Sequence, residues 1–256
     1  MNVKRIALFF LFSVFLSGTM HAQDDAASDN EVNIEITPGI YIGFAAGFTS
    51  NNIYTSAAGR SNTEYQDGEG FEAAIPLRYV IYPWLALQME LQYIQKNYTW
   101  RRTGVYNKVY ANVNNSFIDI PLMVNLSFGI QNIRIFANAG GYGGYWITSK
   151  VQGAAMEITE NPFNNDKYYM NFNEDIEFNE KRDVLFEAGL LAGLGIQVPT
   201  DKFTIFVEGR YYYGLTDMRN KDDYGLIIPR INSTLDIRIG LLMTMDSVME
   251  LIRGGK

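Results

Sequence analysis

Apolar and polar residues alternate along most of the chain, and the alternation runs longest between Val184 and Asp217. There Val184, Phe186, Ala188, Leu190, Ala192, Leu194, Ile196 and Val198 share one face. Glu187, Gly189, Gly193, Gly195 and Gln197 share the other, with Leu185 and Leu191 as apolar exceptions. A period of two over so long a run predicts a strand well beyond the usual five or six residues. A helix would place Gly189, Gly193 and Gly195 in its interior, at about 1 kcal/mol each. Pro199-Thr200-Asp201-Lys202 predicts a tight turn, after which Phe203, Ile205, Val207, Gly209, Tyr211 and Tyr213 oppose Thr204, Phe206, Glu208, Arg210 and Tyr212.

The same pattern predicts six further strands: Ile36 to Phe48, Phe71 to Tyr82, Leu85 to Tyr98, Ser116 to Phe128, one starting at Ile133 and ending in the glycines before Trp146, and Asn232 to Met243. Pro76 lies inside the second strand and predicts a bulge, because proline removes a ladder donor. Connections alternate long and short, with polar loops over 49–70, 99–115, 149–182 and 218–231 and tight turns between them. The result is an all-β chain of eight antiparallel strands joined up and down. Spanning strands need about 9–11 residues, apolar toward lipid and polar toward the lumen. The fold expected is therefore an eight-stranded transmembrane β-barrel over 35–245 with long surface loops, located in the outer membrane. A soluble secreted barrel binding a small apolar ligand is the alternative.

The termini are read separately. Lys4 and Arg5, the apolar run Ile6 to Leu16 and the small residues up to Ala22 predict an export signal over 1–22. Residues 23–34 read as a flexible acidic leader in the periplasm, and 246–256 as a C-terminal tail. With the leader there, all four long loops fall on the cell surface.

Charge and composition narrow the chemistry. The chain has 21 Lys+Arg and 28 Asp+Glu. Loss of the signal leaves 19 basic residues against 28 acidic, a net charge of −9, which argues against nucleic acid as a partner. The one histidine, His21, lies in the signal and there is no cysteine. The mature chain thus lacks the usual zinc ligands, a thiol nucleophile and any His-based catalytic pair. No catalytic residue, metal site or cofactor is expected. Glu187 and Glu208 could in principle share acid–base work, but they read better as structural partners of arginines. Asn161, Asn164, Asn165 and Asp166 offer oxygen ligands without a metal-loop spacing, and read as a solvated loop.

The polar face carries Glu72, Arg78, Glu90, Asp119, Arg134, Glu187, Glu208, Arg210, Asp236 and Arg238. Arginines and carboxylates interleaved with glycine suit a packed lumen. Arg210 is expected between Glu187 and Glu208, with Arg238 beside it. The lysines, Lys96 among them, read as belonging to strand ends and loops. Tyr82, Trp84, Phe128 and Phe203 at the turn side, and Tyr98, Trp100, Tyr145, Trp146, Tyr211 and Tyr213 at the loop side, predict two interfacial girdles. A lumen so filled is not a diffusion pore. The partners expected are outer-membrane lipid and an envelope or secretion-machine protein.

Three short motifs carry a family resemblance: Phe117-Ile118-Asp119-Ile120-Pro121-Leu122, Glu187-Ala188-Gly189 with Gly193-Leu194-Gly195, and Glu208-Gly209-Arg210-Tyr211 with Gly214-Leu215-Thr216. In these the chain resembles the PorT-like outer-membrane β-barrel proteins of Bacteroidota. The resemblance implies an eight-stranded outer-membrane barrel, and an accessory role in a protein-secretion machine as the alternative to a structural or surface-interaction role. Barrels of that family commonly end on an aromatic residue, whereas this chain continues past Met243 to Lys256.

Overall fold

A computed structural model describes residues 36–56, 60–130, 133–157, 168–179, 181–200, 202–220 and 229–254. The chain divides into two units, Met1–Val32 and Asn33–Lys256, and every described residue lies in the second. The export signal, the leader over 23–34 and the loop residues Asn161 and Asn164 to Asp166 lie outside the described residues.

Among the described residues ten strands form one antiparallel sheet: β1 (Gly39–Tyr54), β2 (Thr63–Tyr82), β3 (Leu85–Gln95), β4 (Tyr98–Arg102), β5 (Tyr110–Ile130), β6 (Ile133–Glu157), β7 (Tyr168–Asp175), β8 (Phe186–Pro199), β9 (Phe203–Gly214) and β10 (Ile231–Thr244). A helix, α1 (Met245–Gly254), follows β10. β1 pairs with both β2 and β10, so the sheet closes on itself. β3 and β4 both pair with β2 and β5 and form two halves of one spanning strand. β7 pairs with the outer part of β6, beyond the ring. The ring therefore has eight members, as the alternation predicts.

The strands are longer than their apolar stretches. Residues 63–70, 110–115 and 149–157, read as loops from their polarity, continue β2, β5 and β6 past the apolar band. Backbone pairing across β5 and β6 holds all the way from Ile130↔Ile133 to Tyr110↔Ala154, so a polar side-chain set does not end the ladder.

The expected bulge at Pro76 is absent. Pro76 stays opposite Glu90, and the partners on either side in β1 keep one register from Leu77↔Ile42 to Ala74↔Ala45. A missing N–H interrupts bonds without inserting a residue. The irregularity lies instead between Val80 and Tyr82. It turns Tyr82 outward, where it stacks on Trp84 at 5.9 Å.

The interruption between β3 and β4 at Lys96 and Asn97 is patched by side chains. Asn97 donates to Glu69 O at 2.7 Å and accepts from Asn115 N at 2.9 Å, while Asn51 donates to Asn97 O at 3.1 Å. Opposite it stand Gly68 and Gly70, where a Cβ would meet the Asn97–Tyr98 backbone and Gln95. The backbone polar groups are thus satisfied although the ladder breaks.

Candidate functional site

The outward face of the ring is apolar. Phe44, Ile75, Leu91, Leu122, Ile135, Leu194, Val207 and Ile239 lie among its exposed residues, and Leu194 is 68% exposed. The inward face carries the charge. Arg210, Asp236 and Arg238, at 1% exposure or less, are as buried as a hydrophobic core. Unpaired charge in a protein interior is costly, so the charged residues should meet one another there, and they do.

Two apolar plugs bracket the charged layer. Toward the short turns lie Tyr41, Ala45, Val80, Ala86, Phe136, Phe206 and Leu242. Toward the long loops lie Ile94, Tyr98, Val113, Phe117, Trp146, Leu191, Tyr212 and Met218 with their neighbours. Between them Glu90 is the central acceptor. The Arg210 guanidinium donates to its two oxygens at 2.9 and 3.0 Å, and the Arg238 guanidinium does so at 2.9 Å to each. Arg210 also forks onto Glu208, at 3.0 and 2.8 Å, and donates to Tyr212 Oη at 3.0 Å. Arg238 lies 3.6 Å from Glu208 and 3.9 Å from Glu72. Bidentate geometry of this kind fixes both partners. Asn138 donates to Glu208 and Gln92 to Glu72, satisfying further lone pairs, while Tyr212 Oη donates to Gln92 Oε1 at 3.0 Å. Asp236 stands opposite Arg210 in the β9–β10 register, fully buried, and neither of its carboxylate oxygens accepts a hydrogen bond.

Glu187 is not a partner of Arg210. β8 and β9 pair Gly193 with Arg210 and Gly195 with Glu208, which leaves Glu187 further toward the long loops. There it accepts from Lys96 Nζ at 2.8 Å and from Tyr142 Oη at 2.9 Å, and Asp119 lies 2.9 Å from the same lysine. Lys96 is fully buried, with its ammonium 4.7 Å from the Phe117 ring centre and 4.5 Å from that of Tyr142. Lys96 thus stands at a strand end, as expected, but points into the lumen. Its parity could have told this: it continues the inward series Gln88, Glu90, Gln92, Ile94.

Arg78 and Arg134 stand apart from the ion pairs. Arg78 donates to Gln88 at 2.7 Å and Gln197 at 2.8 Å, both neutral. Arg134 closes the short-turn end by donating to Pro83 O at 2.6 Å and to Ser127. Gln88, Gln92, Asn138, Tyr142, Gln197 and Tyr212 complete the network, and as neutral polar residues they carried no charge signal in the sequence.

The glycines of the polar face make room for this network. A Cβ at Gly193 would collide with the Glu208 carboxylate, one at Gly144 with that of Asp119.

Of the girdle aromatics, Tyr82, Trp84, Phe128, Tyr145, Tyr211 and Tyr213 are exposed on the outer face, and Phe203 is half-buried. Trp146 is not: it points inward, 8% exposed, stacked on Phe117 at 5.8 Å and edge-on to Phe178 at 4.8 Å. Tyr145 and Trp146 are adjacent on one strand, so they must face opposite ways. Tyr98 also points inward, 6% exposed in the same interior cluster, and Trp100 is half-buried and packs against that cluster.

A soluble β-barrel hides its apolar side and wets its polar side. Here a continuous apolar surface faces outward round a closed ring, and the charges face inward. That inversion is stable only where the surrounding medium is hydrocarbon, which defines a transmembrane β-barrel and sets aside the soluble alternative. Residues 21–220 match the family model described as "Outer membrane protein beta-barrel domain". The chain belongs to this family and is an outer-membrane β-barrel protein seated in the lipid bilayer.

Among solved structures, Neisserial surface protein A is similar at 11% identity, with 81% of this chain and 97% of that one covered and a TM-score of 0.41. The outer membrane protein OprG from Pseudomonas aeruginosa gives 13%, 80%, 95% and 0.43. Ail, the attachment invasion locus protein of Yersinia pestis, gives 13%, 80%, 99% and 0.35. No curated protein matches the chain.

Proposed function

We propose that this protein is a closed outer-membrane barrel that works through the surface its long connections present, as a structural or surface-interaction protein. It is neither a pore nor an enzyme in this reading. The observation that carries it is the filled lumen: the Arg210–Glu90–Arg238 layer lies between two apolar plugs, and an eight-stranded ring leaves no further room for a water column. The strands continue past the apolar band at the long-loop end only, where β5, β6 and β7 form a sheet outside the ring. In this reading that sheet stands on the cell surface and meets an envelope protein or a host ligand.

The finer likeness to PorT-like proteins of Bacteroidota keeps an accessory role in a secretion machine as the second reading. Its motif residues Asp119, Glu187, Glu208 and Arg210 are all lumen residues. They specify a barrel interior and say nothing about a partner.

The test has two arms. The refolded protein in a planar bilayer should show no steady conductance at neutral pH. A tag inserted after Ser61 should bind antibody on intact cells, whereas one after Thr200 should bind only after the outer membrane is opened. Stable single-channel conductance refutes the closed lumen, and labelling at Thr200 reverses the orientation. Co-purification with a secretion-machine subunit would favour the second reading.

A further inference from the structure

At the long-loop end, outside the apolar band, the described residues line a partly open cavity of about 160 Å³. Tyr98, Trp100 and Trp146 form its aromatic wall, and Arg182, Arg219 and Arg230 reach it from the segments above. The wall is fixed. The Trp146 ring is held between Phe117 and Phe178, and its Nε1 donates to Thr148 O at 3.0 Å.

The arginines are held by their backbones. Met218 N donates to Arg230 O at 3.1 Å and Asn220 N to Arg182 O at 2.9 Å. Asp217 Oδ1 accepts from both Arg219 N and Arg230 N at 3.0 Å, and Asp183 forms a backbone bridge with Arg219.

The charge balance of this cavity is opposite to that of the chain. Three arginines line it against the single carboxylate of Asp183, in a protein of net charge −7. Arg182 is satisfied by that carboxylate through two bonds, at 2.9 and 2.8 Å. Arg230 is satisfied only in part: its side chain bonds Tyr98, but its Nε is buried and has no hydrogen-bond partner. Burial, then the neighbouring Arg230, hold the Arg219 pKa below the ordinary arginine value. Two guanidinium groups this close repel, and an anion between them removes the repulsion. Val113, Val151, Ile176 and Met218 complete the lining, but a mere packing void would be lined by apolar groups alone and stay dry.

We infer that this cavity is a binding site for a small ring compound bearing a carboxylate, its ring against the wall of Tyr98, Trp100 and Trp146 and its carboxylate on Arg219 and Arg230. The planar fork of arginine matches a carboxylate bidentately, and an aromatic wall takes a flat or cyclic body in edge-on or offset contact. The volume lies below the roughly 300–1,000 Å³ of drug-sized pockets, which limits the ligand to one ring. Both a uronic acid and an aromatic acid carry this chemistry. The site is independent of which macromolecule the outer surface meets.

The experiment uses the full-length protein refolded in micelles, on a Trp84→Phe background. The chain has three tryptophans, so emission then reports Trp100 and Trp146. Glucuronate and benzoate are titrated against the neutral glucose and benzyl alcohol. Saturable quenching is expected from one of the two acids, which identifies the source, and from neither neutral compound. Added sodium chloride should weaken it, and Arg230→Gln should weaken it at least tenfold. Arg219→Lys keeps the charge and loses the fork, so a smaller loss is expected from it, and heat-modified gel mobility establishes that each variant is folded. Absence of saturable quenching by either acid, equal binding of a neutral analogue, or unchanged binding in both folded arginine variants would overturn the site.

Discussion

Removal of Arg210 tests the lumen most directly. Arg210→Leu deletes five hydrogen bonds: two to Glu90, two to Glu208 and one to Tyr212. The layer then holds four carboxylates, those of Glu72, Glu90, Glu208 and Asp236, with Arg238 the remaining arginine bonded to any of them. Breaking one side of a buried pair costs about 3–5 kcal/mol, since the partner stays buried without its counter-charge. Leu194→Ala is the comparison. Leu194 is 68% exposed on the outer face, and acyl chains refill the space it vacates. Its cost should fall below the about 2–5 kcal/mol of a packed-core Leu→Ala. The double variant Arg210→Leu/Glu208→Leu removes a matched pair, and such replacements are often neutral. It should be more stable than Arg210→Leu alone, and this recovery separates charge imbalance from lost volume. Urea titration of the refolded barrel in lipid, read by heat-modified gel mobility, measures all three. If Arg210→Leu unfolds no earlier than Leu194→Ala, or if the double variant is worse than the single, the lumen is not held by charge pairing.

Lys96→Met should destabilise the barrel by about 3–5 kcal/mol, because Asp119 and Glu187 lose their shared cation between two aromatic rings; the thermal midpoint in micelles reads it. Gly193→Ala pushes a methyl group into the Glu208 carboxylate and should cost about 1–3 kcal/mol by overpacking, while Ala192→Gly on the outer face should cost less in the same urea titration. The Asp183 pKa is held below its ordinary value of 3.8: burial pushes it up, but the bonds from Arg182 and from Asn179 N outweigh that. Its contribution is therefore present above that ordinary value and lost as the pH falls through the lower folded value. Arg182 is half exposed, so Asp183→Asn should cost under about 1 kcal/mol. It should show as faster amide exchange at Asn179 at neutral pH, with the difference from the parent vanishing in acid.

A period of two, read from the residues alone, determined the strands, the up-and-down order and the identity of the two faces. Alternation is a local property: the pleat sends successive side chains to opposite sides whatever the strand pairs with. The lumen candidates Glu72, Glu90, Glu208, Arg210 and Arg238 were legible for the same reason. Parity also held the answers to three misreadings, Tyr98, Trp146 and Lys96, which composition obscured: an aromatic near a strand end suggests an interface, a lysine there suggests solvent. Strand ends were not legible, because 63–70, 110–115 and 149–157 are polar and yet paired. A ladder is sustained by backbone bonds to a neighbour, which polar side chains do not forbid. Which acid meets which arginine was decided only by the tertiary structure. Pairing depends on register and on the stagger of the ring, and these set Arg210 against Glu90, 120 residues away, and leave Glu187 to Lys96. The cavity at Arg219 and Arg230 is of the same kind: it exists only where chain segments far apart in sequence are folded over one aromatic wall.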